Sequence, residues 1–167
     1  PKRAGLPKDL SPHGLDLDRA LGLLSLPREI GKHTDDGEPI LAVSGEAVHL
    51  ARRTRDFLKK EASRDLEACV AIHTAQLGLP ARKITIRDTT SRWGSCSSRG
   101  HLNFSWRLIM APPEILASLA AHEVAHINEL NHGPRFWKLV AELDPDWERS
   151  DKWLKRHGPG LHAMQVG

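Results

Sequence analysis

Between Leu50 and Leu77, mostly apolar residues (Leu50, Phe57, Leu58, Leu66, Cys69, Val70, His73 and Leu77) recur at three- and four-residue steps. That spacing predicts an amphipathic helix, continuous or broken once, ending at Gly78 and Pro80. The period then changes to two. Ile84 and Ile86 alternate with polar neighbours. Beyond the turn-rich stretch from Ser91 to Gly100, Leu102, Phe104, Trp106 and Leu108 alternate with Asn103, Ser105 and Arg107. Alternation predicts strands with one apolar face, paired as an antiparallel β-hairpin or meander. The helical period returns after Pro112 and Pro113, which stand where a helix favours proline, and Ile115, Leu116, Leu119 and Ala120 carry it toward Leu130. Asn131-His-Gly-Pro134 is a stop signal. A helix from Pro134 to about Pro145 follows, with Phe136, Leu139, Val140 and Leu143. A last helix, with Trp147, Trp153 and Leu154, is expected to end at Gly158. Helix, strands, then helices gathered at the end predict an α+β fold.

The first 44 residues have a different texture. A terminal-looking Pro1-to-Lys8 stretch precedes a short helical pattern, Leu15 to Leu24, that stops at Pro27, and Gly31-to-Pro39 is dense in turn formers. The expected organisation is therefore an N-terminal appendage, 1–44, followed by one domain, 45–167. With 167 residues, 40% of them hydrophobic and 27% charged, the chain can bury a core without staples. No apolar run approaches the roughly 18 residues of a membrane helix. Cys69 and Cys96 form no C-x-x-C pair and no disulfide framework, which points to a reducing, cytoplasmic setting. A net charge of +3 permits nucleic-acid contact without arguing for it. Ten histidines and no tyrosine are the compositional anomalies.

The chemistry centres on His122-Glu123-Val-Ala-His126, an H-E-x-x-H pattern inside a predicted helix. Residues four apart share a helical face, so both imidazoles can reach one Zn²⁺. Glu123 lies beside such a metal, placed to take a proton from an attacking water. The bland alternative is a row of polar positions on an exposed helix face. A catalytic zinc needs a third protein ligand and an open position. Glu129 shares the face, but its backbone stands about 10 Å along the axis from His122, which suits a tetrahedron poorly. His132 is the better third ligand, because Asn131 tolerates left-handed geometry and Gly133-Pro134 forces the chain out of the helix and back. Metzincins use the same six-residue step with Gly midway, and Glu129 stands there here. His73 reads as a boundary residue of its helix; His13, His33, His49, His101, His157 and His162 lack ligand spacing. Cys96 reads as a buried small residue rather than a nucleophile.

Several of these segments together resemble one family. Ser91-Arg-Trp-Gly-Ser-Cys-Ser97, Leu102-Asn-Phe-Ser-Trp-Arg-Leu108, Ala111-Pro112, His122-Glu-Val-Ala-His126, and Asn131-His132 followed by Phe136-Trp137 are similar to the YgjP-like metallopeptidases, relatives of the SprT-like zincins. The likeness covers about residues 45–163. It implies a small zincin fold, zinc held by His122, His126 and His132, and Glu123 as general base. Less extensively, Leu17-to-Lys32 with Asp36-Gly-Glu-Pro-Ile40 is similar to the start of the C-terminal repeats of bacterial DNA topoisomerase I. Such repeats continue into a Gly- and aromatic-rich strand, whereas Ser44-Gly-Glu-Ala follows here, so the repeat is truncated.

The expected chemistry is metal-assisted hydrolysis of a peptide bond in a peptide or unfolded protein. With no Tyr available, Arg107 on the polar strand face and Arg135 just past His132 are the cations available to stabilise a developing oxyanion. An extended peptide can add to the exposed edge of the hairpin. The rival class is a DNA-associated binding module with a structural zinc. Structural sites usually close with four protein ligands, and three plus a spare Glu favour an enzyme. A protease acting on DNA-bound proteins would combine the two.

Overall fold

The computed structural model describes residues 31–33, 39–41, 46–164 and 166. The short helix expected at Leu15–Leu24 and the boundary expected at 44/45 lie outside the described residues. The chain divides into two compact units, 1–57 with 165–167 and 58–164, so the division falls within the long helix. In the first unit, β1 (Gly31–His33) and β2 (Pro39–Leu41) pair antiparallel, Gly31 opposite Leu41 and His33 opposite Pro39. The turn formers between them thus connect two strands.

The long helix forms where its periodicity places it, as α1 (Leu50–Leu77). Its buried stripe is Ala62, Leu66, Cys69, Val70 and His73, a one-face 3.6 pattern. Leu50 is exposed, so the stripe starts a few turns later than the sequence spacing implied. His73 is buried and its Nδ1 lies 3.1 Å from the Gln76 side-chain oxygen, a local bond within the helix. Among the described residues no helix is long and apolar enough to cross a membrane.

The sheet corrects the expected antiparallel hairpin or meander. β3 (Lys83–Arg87) runs parallel to β5 (His101–Ser105), with Ile84 opposite Leu102 and Ile86 opposite Phe104. β4 (Gly94–Cys96) pairs antiparallel with β5, Gly94 opposite Phe104, so the order is β3-β5-β4 and the sheet is mixed. The turn-rich stretch Ser91–Gly100 contains an edge strand of Gly-Ser-Cys. Three small residues are too short a run to show alternation. The expected continuation of β5 to Leu108 is also corrected. Trp106–Met110 is a 3₁₀ turn, opened by Ser105 Oγ accepting from the Arg107 N–H, and Trp106, Arg107 and Leu108 are all buried in succession. Consecutive burial suits a tight turn entering the core and not a strand with one wet face.

Three helices complete the α+β arrangement: α2 (Pro113–Asn128), α3 (Pro134–Leu143) and α4 (Trp147–Ala163). α2 is the central element, packed against β4, the 3₁₀ turn, α3 and α4. Ala117, Ala120, Ala121 and Ala125 are essentially solvent-free, and such small side chains let neighbours approach closely on several sides. α4 passes through Gly158-Pro-Gly160, where the sequence pattern predicted its end. Tertiary contacts hold that last turn. Gly158 packs against the Trp93 indole so closely that an added Cβ would lie 3.0 Å from it, and Trp93 stacks on His162 at 3.9 Å. Arg107 then accounts for carbonyls near the helix end, donating to Leu161 O at 3.1 Å and Met164 O at 2.6 Å while its Nε donates to Asp88 at 3.0 Å. Unpaired carbonyls at a helix C-terminus welcome such a cation.

Candidate metal centre

α2 delivers His122, Glu123 and His126, and the helix stops at Asn128. Glu129 turns extended (φ −128°, ψ 100°), and the chain reverses before Pro134 starts α3. The expected left-handed Asn131 is not used: among the described residues only glycines have positive φ. Glu129 and a Gly133 N–H to Asn131 O bond of 2.7 Å make the exit instead. The result still brings His132 back. Its Nε2 lies 3.3 Å from His122 Nε2 and 3.0 Å from His126 Nε2, and the three ligand atoms all fall within 4.8 Å of one another. Glu129, the competing third ligand, has its carboxylate 3.3 Å from Arg135 Nε and is not part of the cluster.

Each imidazole is oriented by its surroundings. His126 Nδ1–H donates to the Glu129 carbonyl at 3.0 Å, which leaves Nε2 with its lone pair facing the cluster. Trp137 lies nearly parallel to His132 with centroids 5.5 Å apart, and its indole N–H donates to the His132 carbonyl at 3.1 Å. Phe136, fully buried, touches all three rings, at 4.9 Å from His122, 4.3 Å from His126 and 4.7 Å from His132. The sequence reading gave Phe136 no role at the site, although Phe136-Trp137 stood among the segments that carry the family likeness. Burial, then the neighbouring His126 and His132, push His122 down to about 4, and burial also lowers His126. Neutral imidazoles are the form that binds a metal.

The arrangement fits a cation. Nitrogens held tetrahedrally at ~2.0–2.1 Å from one zinc stand about 3.3 Å apart, close to the two spacings that His132 makes. Three acceptor nitrogens this near one another also repel unless a cation or proton lies among them.

Glu123 answers to a different constraint. It is 4% exposed, and its Oε2 is buried with no hydrogen-bond partner. The exposed-polar-face alternative is therefore excluded for this residue. Burial pushes its carboxyl up to about 8, with the Arg92 charge pulling the other way. A cation among the imidazoles would pull in the same direction as Arg92. Arg92, exposed and two residues before Gly94, is a second residue to which the sequence reading gave no role; its place in the Ser91–Ser97 segment was the available signal. Gly94 itself makes room for Glu123: an added Cβ would lie 2.6 Å from Oε1 and 2.7 Å from Cγ. With Glu123 enclosed, neither side can yield freely. Gly94→Ala is expected to lower stability by about 1–3 kcal/mol through overpacking. Urea unfolding of the two proteins checks this, and equal midpoints would show that Glu123 has room to move.

Two arginines were expected at the site, Arg107 and Arg135. For the first, the structure gives these partners. It is 9% exposed and committed to Asp88 and to the end of α4. Arg135 stands exposed at the start of α3, paired with Glu129. Cys96 lies on β4, where burial and then the Glu123 charge push its thiol up to about 11. A thiol held protonated is a poor nucleophile.

Comparison with known proteins finds two kinds of likeness. A stretch of 45 residues, 27% of the chain, is 51% identical to DNA topoisomerase 1 of Synechococcus elongatus, of which it covers 5%. Similar stretches match DNA topoisomerase 1 of Rickettsia bellii (48% over 46 residues, 28% of the chain and 6% of that protein) and of Zymomonas mobilis (46% over 44 residues, 26% and 4%). The chain thus spans about a twentieth of these relatives. No solved structure matches. The model of the YgjP-like metallopeptidase domain matches residues 16–157, beginning within the segment expected to be an appendage and taking in β3 to β5, the three histidines and Glu123. On that match, which takes in most of its length, the chain belongs to the YgjP-like metallopeptidase family.

Proposed function

We propose that the chain is a zinc-dependent peptidase of small zincin-like fold, with His122, His126 and His132 as ligands and Glu123 as general base. The observation that carries this reading is the buried, unpartnered Glu123 oxygen next to three converging imidazoles. Three protein ligands leave a fourth position open, the mark of a catalytic rather than a structural site. Zinc held there supplies Lewis acidity toward a carbonyl oxygen and toward water. Glu123 accepts the proton of the attacking water and returns it to the leaving amine. Phe136 and Trp137 keep the imidazoles in place, and Gly94 keeps space for Glu123.

The substrate in this reading is an extended peptide or unfolded protein. β4 is an edge strand, and Gly94 at its start borders Glu123, so a peptide backbone pairing with β4 would run past the site. Arg135 is the candidate for the developing oxyanion, with a side chain 86% exposed. A second reading, action on proteins at DNA, is favoured by the 45-residue similarity to DNA topoisomerase 1.

Metal removal tests the main reading. Zinc-loaded protein should cleave an unfolded protein such as reduced casein, lose that activity with a chelator, and regain it with added zinc. A zinc-loaded protein inactive on every unfolded substrate, yet retaining DNA, would turn the reading to the binding module.

A further inference from the structure

A cleft of about 270 Å³ opens beside His122 and Glu123, between α2, α3, α4 and the start of β4. The apolar part of its wall is Trp93, Leu119, Trp137, Val140, Trp147 and Leu154, half of it tryptophan. Trp137 and Trp147 are stacked at 4.5 Å, forming one continuous aromatic surface. Ser118 and Ser150 add hydroxyls to the lining. Besides Glu123, the ionisable side chains Asp151 and Lys155 of the lining pair with each other at 2.6 Å. The volume lies just below the ~300–1,000 Å³ of pockets that take a whole drug-sized molecule. It suits one large side chain.

We infer that this cleft is a specificity pocket for an aromatic side chain, Phe or Tyr, on the substrate residue flanking the scissile bond. The inference rests on the peptidase reading above. Two observations join the pocket to the reacting groups. His122 and Glu123 are part of its wall, so a side chain seated there belongs to a residue adjoining the site. Trp137, another wall residue, stacks on His132 and bonds its carbonyl, so the pocket and the third histidine share a side chain. Aromatic rings gain more than buried area against indoles, through offset and edge-to-face contact, which favours Phe and Tyr over Leu. A phenol can also bond to Ser118 or Ser150.

The test uses peptides of Gly, Ser and Ala carrying one Ala, Lys, Leu, Phe or Tyr at a single position, with cleavage mapped by mass spectrometry. For zinc-loaded protein, kcat/KM should be higher for Phe and Tyr than for Ala by roughly tenfold or more. Ser150→Phe fills the cleft and Trp147→Ala removes part of its wall; each should collapse that preference. Zinc content and cooperative unfolding establish that a variant is folded, and the half-exposed Trp147 provides the change more easily tolerated. The same peptides are titrated calorimetrically into zinc-loaded Glu123→Gln. Cleavage indifferent to the side chain, or a preference that survives in both folded variants, overturns the pocket and leaves the peptidase standing. No cleavage, but aromatic-selective binding that both changes abolish in the Glu123→Gln background, overturns the peptidase and supports the pocket. Neither cleavage nor selective binding overturns both.

Discussion

Glu123→Gln is expected to lower hydrolysis of an unfolded protein by roughly two to four orders of magnitude, the usual contribution of a general base. Zinc content and stability should stay close to wild type. Gln matches Glu in size, so the space above Gly94 is filled as before. It is also uncharged, and burial here already disfavours the carboxylate when no cation is bound. Replacing the buried acid by an amide therefore removes the proton acceptor without leaving a cavity or a bare charge. Steady-state rates on zinc-saturated protein, with elemental analysis of the same samples, check both halves. Equal rates for the two proteins would remove Glu123 as base. A lost rate with lost zinc would mean that Glu123 supports the metal instead.

His132→Ala is expected to weaken zinc binding by a hundredfold or more. Apparent zinc affinities of ~10–16 kcal/mol in four-ligand sites correspond to about 3 kcal/mol for each ligand. His132 also stands within 3.3 Å of both other nitrogens, so its loss opens the cluster on one side. The fold should survive, because His132 is exposed and Phe136, which packs under the rings, is untouched. Competition with a chromophoric chelator reads the affinity, and thermal unfolding of the metal-free proteins reads the fold. Unchanged affinity would assign the third position to another group, with Glu129 the first to examine by the matching Glu129→Gln change.

Both predictions start from residues legible in the sequence itself. Two histidines four apart share a face on any helix, and the apolar pattern around them indicated a helix. The return of His132 was also legible, since Gly133-Pro134 must end α2 soon after Asn128. The means were different: an extended Glu129, not a left-handed Asn131, makes the exit. Backbone conformations in short connections answer to what the flanking helices pack against, and the identity of Asn131 could not report that.

The lengths and positions of α1, α2 and α3, the α+β order and the histidine-glutamate pattern were determined by the sequence itself. All depend on interactions within a few residues, where periodicity, proline and glycine act directly. The tertiary structure alone decided the rest. β3 lies parallel to β5 with a three-residue β4 on the other edge, because strand partners are chosen across distant segments and through shared burial. Trp106–Met110 winds into a 3₁₀ turn because three consecutive side chains found room in the core. α4 runs through Pro159 because Trp93, His162 and Arg107 hold its end. Arg107 became a helix clamp, Phe136 the platform beneath the imidazoles, and Gly94 the space for Glu123, since each role is a contact between residues far apart in the chain.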